Sequence, residues 1–149
     1  MVKRVIYPPI WLVFGLLAVF FLAQFMPGPV FLSEIAQGVG SIIIVLGLLL
    51  LLLAGNLFKR AETDMIPFKN VSALVTTGIY RYTRNPMYLG MAAILLGCAI
   101  TVGATTSLLV APVFMAIIEI RFIRFEEAML DELFPGEFAQ YRTKVRRWL

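Results

Sequence analysis

Two groups of polar residues interrupt an otherwise apolar chain, and both have the makings of a ligand site. The first lies in 72–90, where Tyr80, Arg81, Tyr82 and Arg84 precede Asn85, Pro86 and Tyr88. Asparagine is favoured just before a helix, and proline suits the first helical position, where its missing N–H is harmless. A helix is therefore expected from Pro86, with unpaired N–H groups and a positive dipole end available to an anionic ligand group. The plainer reading is a juxtamembrane loop with basic anchors and belt aromatics.

The second group is Glu119, Glu126 and Glu127, at the end of the last apolar run. On a helix turning about 100° per residue, Phe122, Phe125, Met129 and Leu133 share a face and Glu126 falls inside it. Glu127, Asp131 and Arg124 point the other way. A carboxylate on a packing face requires a partner. The structural choice would be an arginine such as Arg81 or Arg84, tying the tail to the connector. Glu119 lies one heptad earlier, on nearly the same face as Glu126. It reads either as a structural ion pair or, at membrane depth, as a functional carboxylate. Glu127 reads as a solvated charge.

The chain has no histidine, which removes Ser–His–Asp and Cys–His nucleophiles and histidine-based metal sites; no metal is expected. Its single cysteine, Cys98, sits in an apolar run as a small buried hydrophobe. Any chemistry must then rest on carboxylates, arginines, tyrosines and backbone groups, or come from a cofactor.

The elements that must position these groups are membrane helices. Of 149 residues 60% are hydrophobic, and several runs reach the roughly 17–25 residues needed to cross a bilayer. The expected fold is an all-α integral membrane protein: four transmembrane helices, a cytoplasmic connector and a C-terminal amphipathic helix. We place the spans at about 10–26, 35–58, 87–103 and 108–123, within a single domain covering 1–149. With four spans all thirteen lysines and arginines fall on one side, and the opposite loops carry only Glu34. By the positive-inside rule the termini and connector are cytoplasmic, so the net charge of +4 does not signal nucleic-acid binding. The first run has the basic start of a signal peptide but no small-residue cleavage site, and reads as a retained span. Compact size and this retained start fit a prokaryotic inner membrane. Gly38, Gly40 and Gly47 form a strip along which another helix could come close, in this chain or in a second copy. Residues 137–149, with Lys144, Arg146, Arg147 and Trp148, read as a basic tail anchored on headgroups.

Taken in order, L-V-T-T-G-I-Y at 74–80, R-N-P-M-Y-L-G at 84–90, the Glu126–Glu127 pair, F-P-G-E-F-A-Q-Y at 134–141 and V-R-R-W-L at 145–149 resemble the isoprenylcysteine carboxyl methyltransferase family, which belongs with the membrane phospholipid methyltransferases. The resemblance covers 67–149; the first two spans match only in being hydrophobic. It implies S-adenosylmethionine as methyl donor, held between segments 67–90 and 119–149. By matching positions the cofactor contacts would be Ser72, Ala73, Leu74, Val75, Tyr80, Asn85, Pro86, Met87, Tyr88 and Glu126. Glu126 would take the ammonium or hydroxyls, the start of the helix the carboxylate, and a tyrosine the adenine or sulfonium.

The chain departs from the family pattern in two ways. Asn85 stands where the family usually has a histidine, as Ser72 often does, so a histidine acid–base role is absent. Phe122 stands where some members place an arginine for the substrate carboxylate; Arg84, Arg121 and Arg124 are the remaining candidates for a substrate contact. Methyl transfer from a sulfonium is an in-line displacement needing alignment and water exclusion, and a carboxylate or thiolate acceptor needs no base. The expected acceptor is a membrane lipid or lipophilic small molecule with a carboxylate, thiol or amine; the sequence leaves monomer and homodimer open. The alternative from another class is a non-catalytic four-helix assembly protein or subunit.

Overall fold

The computed structural model describes residues 7–60 and 73–149. Tyr7 leads into α1, Pro8–Phe25, whose first two positions are the prolines at 8 and 9. The two residues that break a chain elsewhere open a helix here, because their φ is already helical and no N–H is needed there. α2, Glu34–Arg60, is capped by Ser33 Oγ, which accepts from Ala36 N at 3.1 Å. α3, Pro86–Val102, ends on Gly103, whose N–H turns back to the oxygens of Ala99 and Ile100 with φ of 69°. A 3-10 turn, Thr105–Leu109, then feeds α4, Val110–Ile118, a π-helical turn, Glu119–Ile123, and α5, Arg124–Leu133. A short α6, Glu137–Lys144, follows the Pro135–Gly136 break.

Among the described residues three helical stretches are long and apolar enough to cross a membrane, Pro8–Phe25, Glu34–Arg60 and Thr105–Leu133. The apolar α3, expected as a span of its own, has 17 residues and runs beside α2. Its position explains the glycines. Gly40 and Gly47 of α2 face Gly97 and Gly90 of α3 so closely that a Cβ on Gly47 would lie 2.7 Å from the Gly90 carbonyl oxygen. The seven-residue step in each helix repeats the contact two turns on. The strip is thus used within the chain, although Gly38 faces nothing within 4 Å.

The core lies where α3 meets α1 and α4, around Val19, Leu95, Phe114, Ile118 and Phe122. Leu17, Phe21, Ile42 and Leu52 project outward from α1 and α2, as surfaces in contact with lipid do. At the end remote from the polar groups, two loops are bonded to each other. Phe31 N donates to Gly103 O at 2.8 Å, Thr106 Oγ1 to Met26 O at 2.6 Å, and the buried Ser107 Oγ to Val19 O at 2.8 Å.

Candidate functional site

The connector reaches the site through Gly78, which turns at φ of 59° against Leu57. The 3-10 turn Gly78–Arg81 then buries Tyr80 edge-on to Phe58, with ring centroids 5.6 Å apart. Tyr141 of α6 donates its hydroxyl to Tyr80 O at 2.6 Å, fixing α6 to this turn. Ala73, Leu74 and Val75 are half-buried just upstream. Leu74, Thr76, Arg81, Glu137, Gln140, Tyr141, Lys144 and Val145 surround a cleft of about 470 Å³ between connector and α6. Ser72 and the rest of 67–72 lie outside the described residues.

Asn85 does occupy the position before α3 and Pro86 the first turn, but the Asn85 side chain makes no capping hydrogen bond. The Asn85 amide is drawn away: Nδ2 donates to Arg147 O at 2.9 Å, and Thr83 Oγ1 donates to the same oxygen at 3.3 Å. One turn into α3, the buried Tyr88 hydroxyl donates to Glu126 Oε1 at 2.6 Å. Tyr80 feels the same carboxylate. Burial, then Tyr141, then Glu126 together raise its phenol well above the usual value. Glu126 therefore faces the packing side, half-buried, and among the described residues no arginine reaches it.

The arginines are on Glu127 instead. Arg84 Nη2 lies 2.9 Å from Glu127 Oε1, and Arg147 spans the same carboxylate, Nε to Oε1 at 3.1 Å and Nη2 to Oε2 at 2.6 Å. Arg147 Nη1 also reaches Glu119 Oε1 at 2.9 Å, Trp148 Nε1 donates to Glu119 Oε2 at 3.2 Å, and Arg124 approaches Glu119 at 3.4 Å. These contacts, led by the hydrogen bond to Glu127, raise the Arg147 pKa further. The solvated Glu127 expected from periodicity is thus a hub, with its side chain only 12% exposed. The cause is the π turn. It inserts about one extra residue, so that Glu119 and Glu127, eight positions apart, align as residues seven apart do on an unbroken α-helix. The heptad partner of Glu119 is Glu127 rather than Glu126. Phe122 is buried as expected, whereas Phe125, expected on the same face, lies beyond the turn and is 60% exposed.

Of the arginines considered for substrate, Arg84 is 9% exposed and committed to Glu127, while Arg121 and Arg124 are exposed. The tail also differs from a headgroup anchor. Phe138, Tyr141 and Val145 are buried, and 146–148 fold back on the connector, with Arg84 N donating to Arg146 O at 3.0 Å. Lys144 and Arg146 remain exposed. Thr83, Arg147 and Trp148 were not expected in this cluster. For Arg147 and Trp148 the signal was a run of cations and an indole, each needing a partner, in a chain that also holds two adjacent glutamates; Thr83 gave none.

Tyr141 carries a pH dependence. Burial, opposed by Arg84, pushes its phenol up to about 12 from 10.0. A pKa raised on folding means the neutral form is favoured, so this stability is complete below pH 10 and lost as pH rises towards 12. Thermal melts of wild type and Tyr141→Phe between pH 8 and about 12 should show the wild-type advantage shrinking across that window.

A family model for phospholipid methyltransferases matches residues 35–137. The chain belongs to this family. Over 72 residues it is 38% identical to the protein-S-isoprenylcysteine O-methyltransferase of Schizosaccharomyces pombe, covering 48% of this chain and 30% of that one. An uncharacterised Haemophilus influenzae protein is 36% identical over 63 residues, 42% of this chain and all of that protein. The structure of the eukaryotic intramembrane Ras methyltransferase ICMT, isoprenylcysteine carboxyl methyltransferase, superposes with a TM-score of 0.73 at 20% identity. That match covers all of this chain and 54% of ICMT, so the chain spans about half of the solved protein and less of the yeast one. Family and fold are those of integral-membrane methyltransferases, all-helical among the described residues.

Proposed function

We propose that the protein is an S-adenosylmethionine-dependent methyltransferase of the membrane, acting on a lipophilic or small amphipathic acceptor with a carboxylate, thiol or amine. The observation that carries this reading is Glu126: a half-buried carboxylate with one tyrosine donor and no cation among the described residues. Such a group is costly unless something else supplies donors, and an ammonium or ribose hydroxyls would do so. The residues thus fit the cofactor. Glu126 would hold its ammonium or hydroxyl end, oriented by Tyr88, and at the first turn of α3, Pro86 and Met87, the Asn85 side chain does not compete for an anion. Tyr80, Ala73, Leu74 and Val75, with Ser72 beside them, would line the remainder. Asn85 would act by anchoring the turn to the tail, given its bond to Arg147.

When bound, the cofactor supplies a methyl group already activated by a sulfonium. The chain's own part is to align, to exclude water and to admit the acceptor from the lipid side. In this reading α3 completes a four-span domain, and the thirteen basic residues put both termini and the connector on the cytoplasmic face of a prokaryotic inner membrane.

Binding of S-adenosylmethionine to purified protein in detergent and in lipid tests it. Wild type should bind saturably, and Glu126→Gln should weaken binding by about tenfold or more, the loss expected for a charge-assisted contact. Folded wild type that binds none in either environment would refute the enzyme reading and favour a non-catalytic membrane subunit.

A further inference from the structure

Arg147 touches both elements that carry the Tyr88–Glu126 pair. Its carbonyl oxygen accepts from Asn85 and Thr83, in the turn that starts α3, three residues before Tyr88. Its guanidinium lies along Glu127, the residue next to Glu126, and reaches across the π turn to Glu119. One residue of the tail therefore fastens the start of α3 to the start of α5. Arg146 O, accepting from Arg84 N, and Trp148, donating to Glu119, hold the strap on either side.

The same contacts divide two adjacent glutamates between two tasks. Glu127 takes both Arg84 and Arg147, leaving Glu126 with Tyr88 alone among the described residues. A guanidinium fork can grip Glu127 through two nitrogens and still offer a third to Glu119; an ammonium is a point charge and cannot.

We propose that Arg147 is a positioning residue: by fastening Glu127 and the start of α3 to the tail it holds Glu126 against Tyr88, so that one carboxylate oxygen stays available to the ammonium end of the cofactor. This rests on Glu126 being a cofactor contact. Arg147→Met leaves Arg84 on Glu127 and Arg124 on Glu119, so each acid keeps a cation and a folded variant is expected.

The experiment measures binding of S-adenosylmethionine and of 5′-methylthioadenosine, which lacks the amino-acid end, to the full chain in lipid nanodiscs. Wild type, Arg147→Met, Arg147→Lys, Glu126→Gln and the double variant Arg147→Met with Glu126→Gln are compared. Arg147→Met should weaken S-adenosylmethionine by about tenfold and leave methylthioadenosine within about twofold, with Arg147→Lys between it and wild type. The double variant should bind no more weakly than Glu126→Gln alone, because both changes disable one contact. Equal weakening of both ligands, or losses that multiply in the double variant, would overturn the positioning role. If Arg147→Met does not fold, Arg147→Lys decides: unchanged affinity for S-adenosylmethionine overturns the proposal, and a loss confined to that ligand supports it. Wild type that binds no S-adenosylmethionine defeats the functional reading on its own evidence, and this proposal with it.

Discussion

Glu127→Gln is expected to destabilise the protein by about 3–5 kcal/mol, because it removes the shared anion of a nearly dry cluster. Among the described residues the side chain of Arg84, 9% exposed, would keep only a 3.4 Å contact to the Arg142 carbonyl oxygen, and its Nε has no partner there already. Arg147 would keep Glu119, which it shares with the exposed Arg124, while the nearly buried Arg84 would lose its carboxylate. The control is Asp131→Asn. It breaks an ion pair to Arg142 in which both side chains are 40% exposed or more, and such pairs contribute under about 1 kcal/mol. Unfolding of both variants in matched detergent, followed by circular dichroism, separates the two. Equal midpoints would show Glu127 to be no hub.

Gly97→Leu should be damaging by a different route, at about 3 kcal/mol or more. A Cβ there would sit 2.6 Å from Gly40 O and 2.7 Å from the Ile44 side chain. The oxygen belongs to helix backbone and cannot swing aside, so α2 and α3 must separate along the seam. In lipid there is no hydrophobic gain in re-burying the parted faces, since acyl chains cover them equally well. Gly38→Leu, with nothing within 4 Å, should change stability by less than about 0.5 kcal/mol. Melting of the two variants side by side measures the seam directly.

Much of this was legible in the chain, and what was missed has physical causes. The start of α3 at Pro86 follows from proline chemistry, and the inward direction of Glu126 from counting residues on a helix. Both are local rules. Counting also set Glu127 facing solvent, because it assumes one uniform turn from Glu119 on; the π turn at Glu119–Ile123 brings Glu127 into line with Glu119, where Arg147 bridges the two. The glycines announced a close helix neighbour without naming it, since small residues are equally available to α3 or to a second chain. Asn85 had the right address and the wrong partner. Its amide was captured by Arg147, 62 residues on, a contact no local pattern encodes. The tail's cations suited an anionic leaflet and an acidic cluster equally well, and composition alone cannot choose between them.

The bonded loops at the far end turn the bundle into a lever. Phe31–Gly103 and Thr106–Met26 join the loops that follow α1 and α3, and Ser107 bonds into α1 at Val19, so in any tilt of α3 that end would be the pivot. α3 extends about 26 Å from there to Pro86. A tilt of about 5° at the pivot then moves the polar end by about 2 Å, while the bonds at the fulcrum hardly stretch. Tyr88 rides on that arm. On the methyltransferase reading proposed above, an acceptor would enter by a fanning of helices at that end, opposed by the glycine seam between α2 and α3 and by the ion pairs of the tail.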